Sequence, residues 1–246
     1  MTDPGREHLL FQLYGPLASW GDIAVGEVRP SFERPAKSAV LGLVAAALGI
    51  RRDEEETHLR LADDYGYAVQ VSAFGRPLRD YHTVQRPPQR KGANYASRRQ
   101  ELAAVPRDAL ATTLSYRDYW QDAVYRVALW SWSDSPLHAL DAVGAALKAP
   151  HFVLYLGRKS CPPALPLYPH VVQAGSAEEA FAAAAFPGET LLDAIAAGPA
   201  TLYTEEELAS GERLVRRDRT SSRRRWQFAE RAEFRKVLPP KEANHV

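Results

Sequence analysis

The chain has 246 residues, enough for one large domain or two small ones around a substantial core, and its 31 Lys and Arg nearly balance 30 Asp and Glu. With 46% apolar and 25% charged residues it has the composition of a soluble globular protein rather than a disordered chain. A single cysteine excludes an internal disulfide and argues against a structural zinc site, and no metal or cofactor is expected.

The opening "MTDPGREHLL" lacks the layout of a signal peptide. The longest apolar stretch, Ser38 to Ile50, is too short to span a bilayer. A cytoplasmic location without membrane contact is therefore expected. "HLLFQLYG" (His8 to Gly15) reads as a buried strand stopped by Gly15-Pro16. "PAKSAVLGLVAAALGI" reads as a buried helix, with Pro35 near its start, Ser38 as a possible cap and Gly49 near its end. "YAVQVSAF" (Tyr67 to Phe74) and "AVYRVALWSW" (Ala123 to Trp132) alternate as strands do, "SPLHALDAVGAALKAP" (Ser135 to Pro150) is an amphipathic helix, and "HFVLYLG" (His151 to Gly157) reads as the strand after it.

The order is β-α-β-β-α-β, which predicts an α+β fold with a ferredoxin-like core of the kind RNA-recognition modules use. Between the second and third strands lies the stretch from Gly75 to Asp122, far longer than a hairpin loop, basic and rich in tyrosine. It predicts a projecting arm at about 78–120. After Pro166 the chain changes character: a short helix over Ser176 to Phe186, then "PATLYTEEE", "ERLVRRDR" and "RRRWQFAERAEFRKVL" as short strands. The expected division is a domain over 1–166 that includes the arm, and a smaller β-rich subdomain over 167–246.

The near-neutral total hides asymmetry. From Arg213 to Lys236 there are ten Lys and Arg against three acids, and from Arg79 to Arg99 six cations against Asp80. Such clusters point to a localised polyanion footprint, with a solvated surface as the plain alternative. In the dense stretch Pro16 to Leu43, Trp20 is a candidate for stacking on a base, while Arg29, Arg34, Lys37 and Ser38 gather at a helix start suited to an anion. The plainer reading keeps Trp20 in the core and the cations solvated. In "LRDYHT", Arg79, Tyr81 and His82 are candidate RNA contacts. Together with Asp80 they are also the residue types of a metal-independent RNA cleavage site. In "YLGRKSCPPALPL", Gly157 admits unusual backbone conformations and close approach of a ligand, and Arg158, Lys159 and Ser160 offer cations and donors to phosphate. A structural turn, and a nucleophilic Cys161 with a base such as His151, remain alternatives. "RRRWQF" places Arg224 among cations and aromatics that suit either RNA or a strand with Trp226 and Phe228 facing inward.

Six blocks, "GPLASWG", "RPAKSAVLGLVAAALGI", "LRDYHTV", "YRDYWQDAVYRVALW", "YLGRKSCPPALPL" and "RRWQFAERAEF", occur in an order that resembles the CasD family of type I-E CRISPR Cascade. The resemblance implies a RAMP-type ferredoxin-like fold, with "LGRKSC" as its glycine-containing loop and the arm as a thumb. It implies a non-catalytic antiviral subunit holding the five-prime handle of the guide crRNA. The implied partners are the Cascade backbone subunits, the large PAM-reading subunit and, through the complex, target DNA. The rival expectation is a metal-independent endoribonuclease that processes CRISPR repeat RNA, as type I-C relatives do. The arm, "QRPPQRKGANYASRRQELAAVPRDAL", looks longer and richer in proline than in the family.

Overall fold

The three central strands have almost no polar side. Strand β1 (Arg6–Tyr14) buries every residue from His8 to Leu13, and β6 (Tyr65–Ala73) and β9 (Val124–Ser131) are nearly as covered. Successive side chains of a strand point to opposite faces, so such continuous burial requires packing on both sides. In the computed structural model, which describes residues 5–88, 92–186, 192, 194–196 and 198–239, this is what occurs. Leu9, Phe11 and Leu13 pack with Val127, Leu129, Tyr67 and Val69 against helices α1 (Lys37–Leu48) and α4 (Leu140–Lys148). Leu10, Ala68, Ala128 and Trp130 face the other way, against α5 (Ala177–Ala183).

Among the described residues the main sheet has seven strands. Strands β10 (His170–Ala174), β11 (Thr201–Thr204), β12 (Glu212–Ser222) and β13 (Gln227–Val237) join the central three in the order β10-β1-β9-β6-β11-β13-β12. Every neighbouring pair is antiparallel. The strands after residue 166 thus occupy both edges of the sheet begun before it, and no break in the sheet coincides with that residue.

The stretch from His151 to Gly157 is not a strand. Its Leu154 and Leu156 are buried and its Val153 and Tyr155 exposed, so the alternation is real. Its start, however, is tied to the end of α1: the N–H groups of His151 and Phe152 donate to the carbonyls of Ala47 and Ala46 at 2.9 and 3.1 Å. The segment lies over that helix end, and β10 takes the place beside β1. Helix α4 also begins later than expected. The side chains of Ser131 and Ser133 accept from the N–H groups of Ser133 and Ser135 at 3.1 Å each, and such local bonds compete with helix. The acidic stretch after Arg51 carries an unforeseen helix, α2 (Glu55–Asp64), with Glu55 and Glu56 in its first turn.

Ser38 does not cap α1. The residue at the cap position is Ala36, without a side-chain bond, and the N–H of Lys37 instead donates to Asp218 on β12 at 2.9 Å. The arm is a long hairpin of β7 (Arg76–Arg86) and β8 (Ala111–Gln121), with α3 (Arg98–Ala103) near its tip. Arg90 and Lys91, part of its basic cluster, lie outside the described residues. At its base, β8 is flanked by β2 (Leu17–Ala18), antiparallel, and β4 (Val28–Arg29), parallel, and β3 (Trp20–Gly21) and β5 (Ser31–Phe32) form a separate antiparallel pair.

Candidate RNA interface

The glycine loop is built by backbone crossing. Gly157 has φ +79°, and a Cβ placed there would stand 2.0 Å from the carbonyl oxygen of Ser19. Only glycine meets both demands. The loop closes through Leu156 N–H to Cys161 O at 2.7 Å and Cys161 N–H to Arg158 O at 2.8 Å, and it is pinned to the Trp20 segment by Ser19 N–H to Leu156 O at 3.0 Å. Lys159 and Ser160 are exposed at its tip. Cys161 points inward, and burial pushes its thiol up from the ordinary value, the opposite of an activated nucleophile.

The loop meets the base of the arm. The Ser19 hydroxyl donates to the carbonyl of Asp118 at 2.9 Å, and the Arg158 guanidinium sits 5.1 Å from the centre of the Tyr119 ring. Arg79 grips the Asp118 carboxylate with two bonds, at 2.7 and 2.9 Å. That pair holds the Asp118 carboxyl below its ordinary range, with a further contribution from Arg158. The structure thus brings Arg79 and Arg158 to one carboxylate, although 79 residues separate them in the chain.

Along the arm, Tyr81 stands opposite Tyr116, with ring centres 5.3 Å apart, and half of the Tyr81 side chain is exposed. His82 pairs with Asp80. Because alternate residues of a strand face opposite sides, Arg79 and Tyr81 share one face of the hairpin while Asp80 and His82 share the other. The four residue types of a cleavage site are therefore divided, not assembled. Asp118 and Tyr116 are not marked by their own local stretch, but a longer-range signal exists: "RDY" at 79–81 and "YRD" at 116–118, read antiparallel, set Arg against Asp, Asp against Arg and Tyr against Tyr.

Three of the expected contacts belong to the interior. Trp20 is 2% exposed and packs edge-on to Tyr125 at 5.6 Å, so it offers no face to a base. Arg34 and Lys37 are each 3% exposed. Arg34 pairs with Glu233 on β13 and lies 3.6 Å from the centre of the Tyr203 ring. Lys37 donates to both oxygens of Glu205, at 3.0 and 3.1 Å. Arg231 completes the group by bonding Asp218 and Glu233. Burial lowers the Lys37 ammonium and Glu205 works against that shift, whereas Asp218, pushed up by burial, is held below the ordinary carboxylate value by Arg231 and the Lys37 N–H. These cations hold β11, β12 and β13 to the start of α1, and Ser38 lies half-buried in that first turn.

Arg29 is exposed but folded back, donating to the carbonyls of Gly26 and Val28 at 2.6 and 3.0 Å. Arg224 lies elsewhere, in the turn between β12 and β13, where its N–H donates to Glu55 at 2.6 Å. Next to it Trp226 faces outward rather than inward and is 52% exposed. Among the described residues no group of three or more His, Cys, Asp or Glu side chains could hold a metal ion, and no helix is long and apolar enough to cross a membrane.

A family profile described as CRISPR-associated protein (Cas_Cas5) matches residues 8–232. The chain is 33% identical over 185 residues to the CRISPR system Cascade subunit CasD of Escherichia coli (strain K12), covering 71% of this chain and 75% of that protein. It resembles a chain of a solved CRISPR RNA-guided surveillance complex with a TM-score of 0.61 at 24% identity, covering 95% of this chain and 90% of the other. A second solved structure, described as a Cas protein, has a TM-score of 0.57 at 28% identity and 95% coverage of both chains. The resemblance to CasD drawn from the six sequence blocks is borne out, and the chain belongs to the Cas5 family of CRISPR-associated proteins.

Proposed function

We propose that this chain is a non-catalytic subunit of a type I-E Cascade complex that binds the five-prime handle of the guide crRNA and serves antiviral defence in the cytoplasm. The observation that carries the reading is the joint between the glycine loop and the arm. Lys159 and Ser160 stand exposed on a loop that Gly157 locks against the Ser19 backbone, beside Arg158 and Arg79. Exposed cations on a rigid backbone suit a phosphate chain, and the exposed Tyr81 ring suits a base or a neighbouring protein. The similarity to a Cascade subunit supports the same reading.

Four strands in the order β10-β1-β9-β6, with helices between them in sequence, fit a ferredoxin-like core of the RAMP type. In this reading the hairpin is a thumb that reaches backbone subunits, the large PAM-reading subunit lies against the handle, and target DNA is met only through the complex. The smaller unit over 167–246 then supplies the fourth core strand, β10, and extends the sheet with β11, β13 and β12 and one covering helix, α5. The test is binding of a handle-sequence RNA to the purified chain. Replacing Arg158 and Lys159 by Ala should reduce the log–log salt slope by about 1.4, since each phosphate contact on a single strand contributes about 0.7. An unchanged slope in the folded double variant would reduce the loop to a turn. Incubation with repeat RNA, in EDTA or with divalent metal, should leave the RNA intact, and discrete cleavage within the repeat would favour the endoribonuclease.

A further inference from the structure

A cavity of about 880 Å³ opens beneath the β12–β13 turn, lined by Arg52, Asp53, Arg223, Arg224 and Trp226. It shares no residue with the glycine loop. The turn around it is firmly held: Trp226 N–H donates to Arg223 O at 3.3 Å, and Glu55 accepts from both the Ser222 hydroxyl at 2.7 Å and the Arg224 N–H at 2.6 Å. Trp226 adopts φ +58°, a conformation rare for a bulky residue, and rare backbone of this kind persists only where its surroundings impose it. The result is an indole held half in solvent with two cations close to it, the Arg223 guanidinium 4.3 Å and the Arg52 guanidinium 4.8 Å from its ring centre.

The charges of this cavity are not balanced. The Arg223 Nε is buried with no hydrogen-bond partner. Burial lowers the Arg223 guanidinium, and the neighbouring charge of Arg52 lowers it further. Among the described lining residues Asp53 is the one carboxylate against three guanidiniums, and Glu55, which also acts on Arg223 from the turn, does not even the count. Two like charges brought together beside an unmet donor form a place for an anion, and the exposed part of the indole beside them is a place for a flat ring. A carboxylate of a partner protein would use the guanidiniums and leave the indole idle. A nucleotide uses both, and the volume lies in the ~300–1,000 Å³ range of sites for small ligands.

We propose that this cavity is a single-nucleotide subsite, with the phosphate between Arg52 and Arg223 and the attached base on the exposed part of Trp226. It rests on the RNA-binding reading above and adds a second anchor for one nucleotide, on residues other than those of the glycine loop. The probe is AMP titrated into the full chain and followed by tryptophan fluorescence. Saturable quenching is expected. It should vanish in Trp226→Phe, weaken by about tenfold in Arg223→Gln, and stay within about twofold in the Arg158→Ala, Lys159→Ala double variant. Should Arg223→Gln fail to fold by circular dichroism, Arg52→Gln, on an exposed side chain, carries the same expectation. Absence of saturable quenching at millimolar AMP would overturn the proposal, as would quenching that survives in Trp226→Phe. Saturation by a hexaglutamate peptide in place of AMP would overturn it too and assign the cavity to an acidic protein segment. If handle RNA still binds while AMP does not, the subsite alone is wrong. If AMP behaves as expected while handle RNA does not bind, the handle reading fails and the subsite stands.

Discussion

Asp218 on β12 accepts a hydrogen bond from the Lys37 backbone N–H, 181 residues earlier in the chain, at 2.9 Å. A carboxylate on the edge strand of the sheet thus caps α1, whose own cap residue, Ala36, has nothing to offer. The same carboxylate bonds buried Arg231. Asp218→Ala should therefore cost more than the ~1 kcal/mol of a lost cap, because Arg231 keeps its burial and loses a counter-charge, and breaking a buried pair costs about 3–5 kcal/mol. Urea unfolding of the variant checks this. A change under about 1 kcal/mol would mean that Glu205 and Glu233 suffice for Arg231.

Gly157→Ala should damage the loop before it damages the core. The left-handed conformation alone costs a non-glycine residue about 1–2 kcal/mol, and the added methyl would stand 2.0 Å from Ser19 O. The expected outcome is a folded protein with lowered stability, a displaced loop and weakened handle-RNA binding. Binding at the level of the unaltered chain, in a variant that is measurably less stable, would separate the loop from RNA recognition.

Stability should fall between about pH 6.5 and about pH 4. The His8 imidazole is fully buried, and burial together with the Arg6 guanidinium holds it down to about 4 in the folded chain. Unfolded, it titrates near its ordinary value of about 6.5. In that window the unfolded chain takes up a proton that the folded chain refuses, so stability declines as pH drops and the His8 contribution levels off below about 4. His8→Gln should flatten the slope of unfolding free energy against pH over this range. A slope identical to that of the unaltered chain would place its origin in other groups.

The outer arm should be removable. Thr83 pairs with Leu114 and His82 with Ser115, so joining residue 82 to residue 114 by a short Gly/Ser linker leaves the inner ladder, including Arg79 and Asp118, in register. Among the described residues of the deleted part, Arg98 bonds the Gln85 carbonyl and pairs with Glu101, and its strands are almost wholly exposed. Circular dichroism and the thermal midpoint should change little, whereas co-purification with partner subunits and guide RNA should be lost. Unfolding of the shortened chain would show that the arm stabilises the core, and normal assembly would remove the arm from the interface.

The parts of the fold legible in the sequence share one property: their pattern is decided within about a dozen residues. Strands β1, β6 and β9 and helix α1 have continuous or periodic apolar runs, and the arm betrays itself by length and charge. The glycine loop was likewise marked by Gly157 followed by two cations. What stayed hidden depends on distant neighbours. Leu154 and Leu156 alternate as in a strand but find no strand beside them, because α1 captures the N–H groups that precede them, while the half-buried His170–Ala174 becomes a strand because the edge of β1 is free to receive it. Arg34, Lys37 and Arg231 are, in sequence, cations like Arg158 and Lys159. Tertiary structure alone sets the first three against Glu205, Asp218 and Glu233 in the interior and leaves Lys159 in solvent. Hydrophobic periodicity is a local property of the chain. The meaning of a charge is set by the dielectric around it and by the partner it meets, and both are supplied by residues up to 199 positions away.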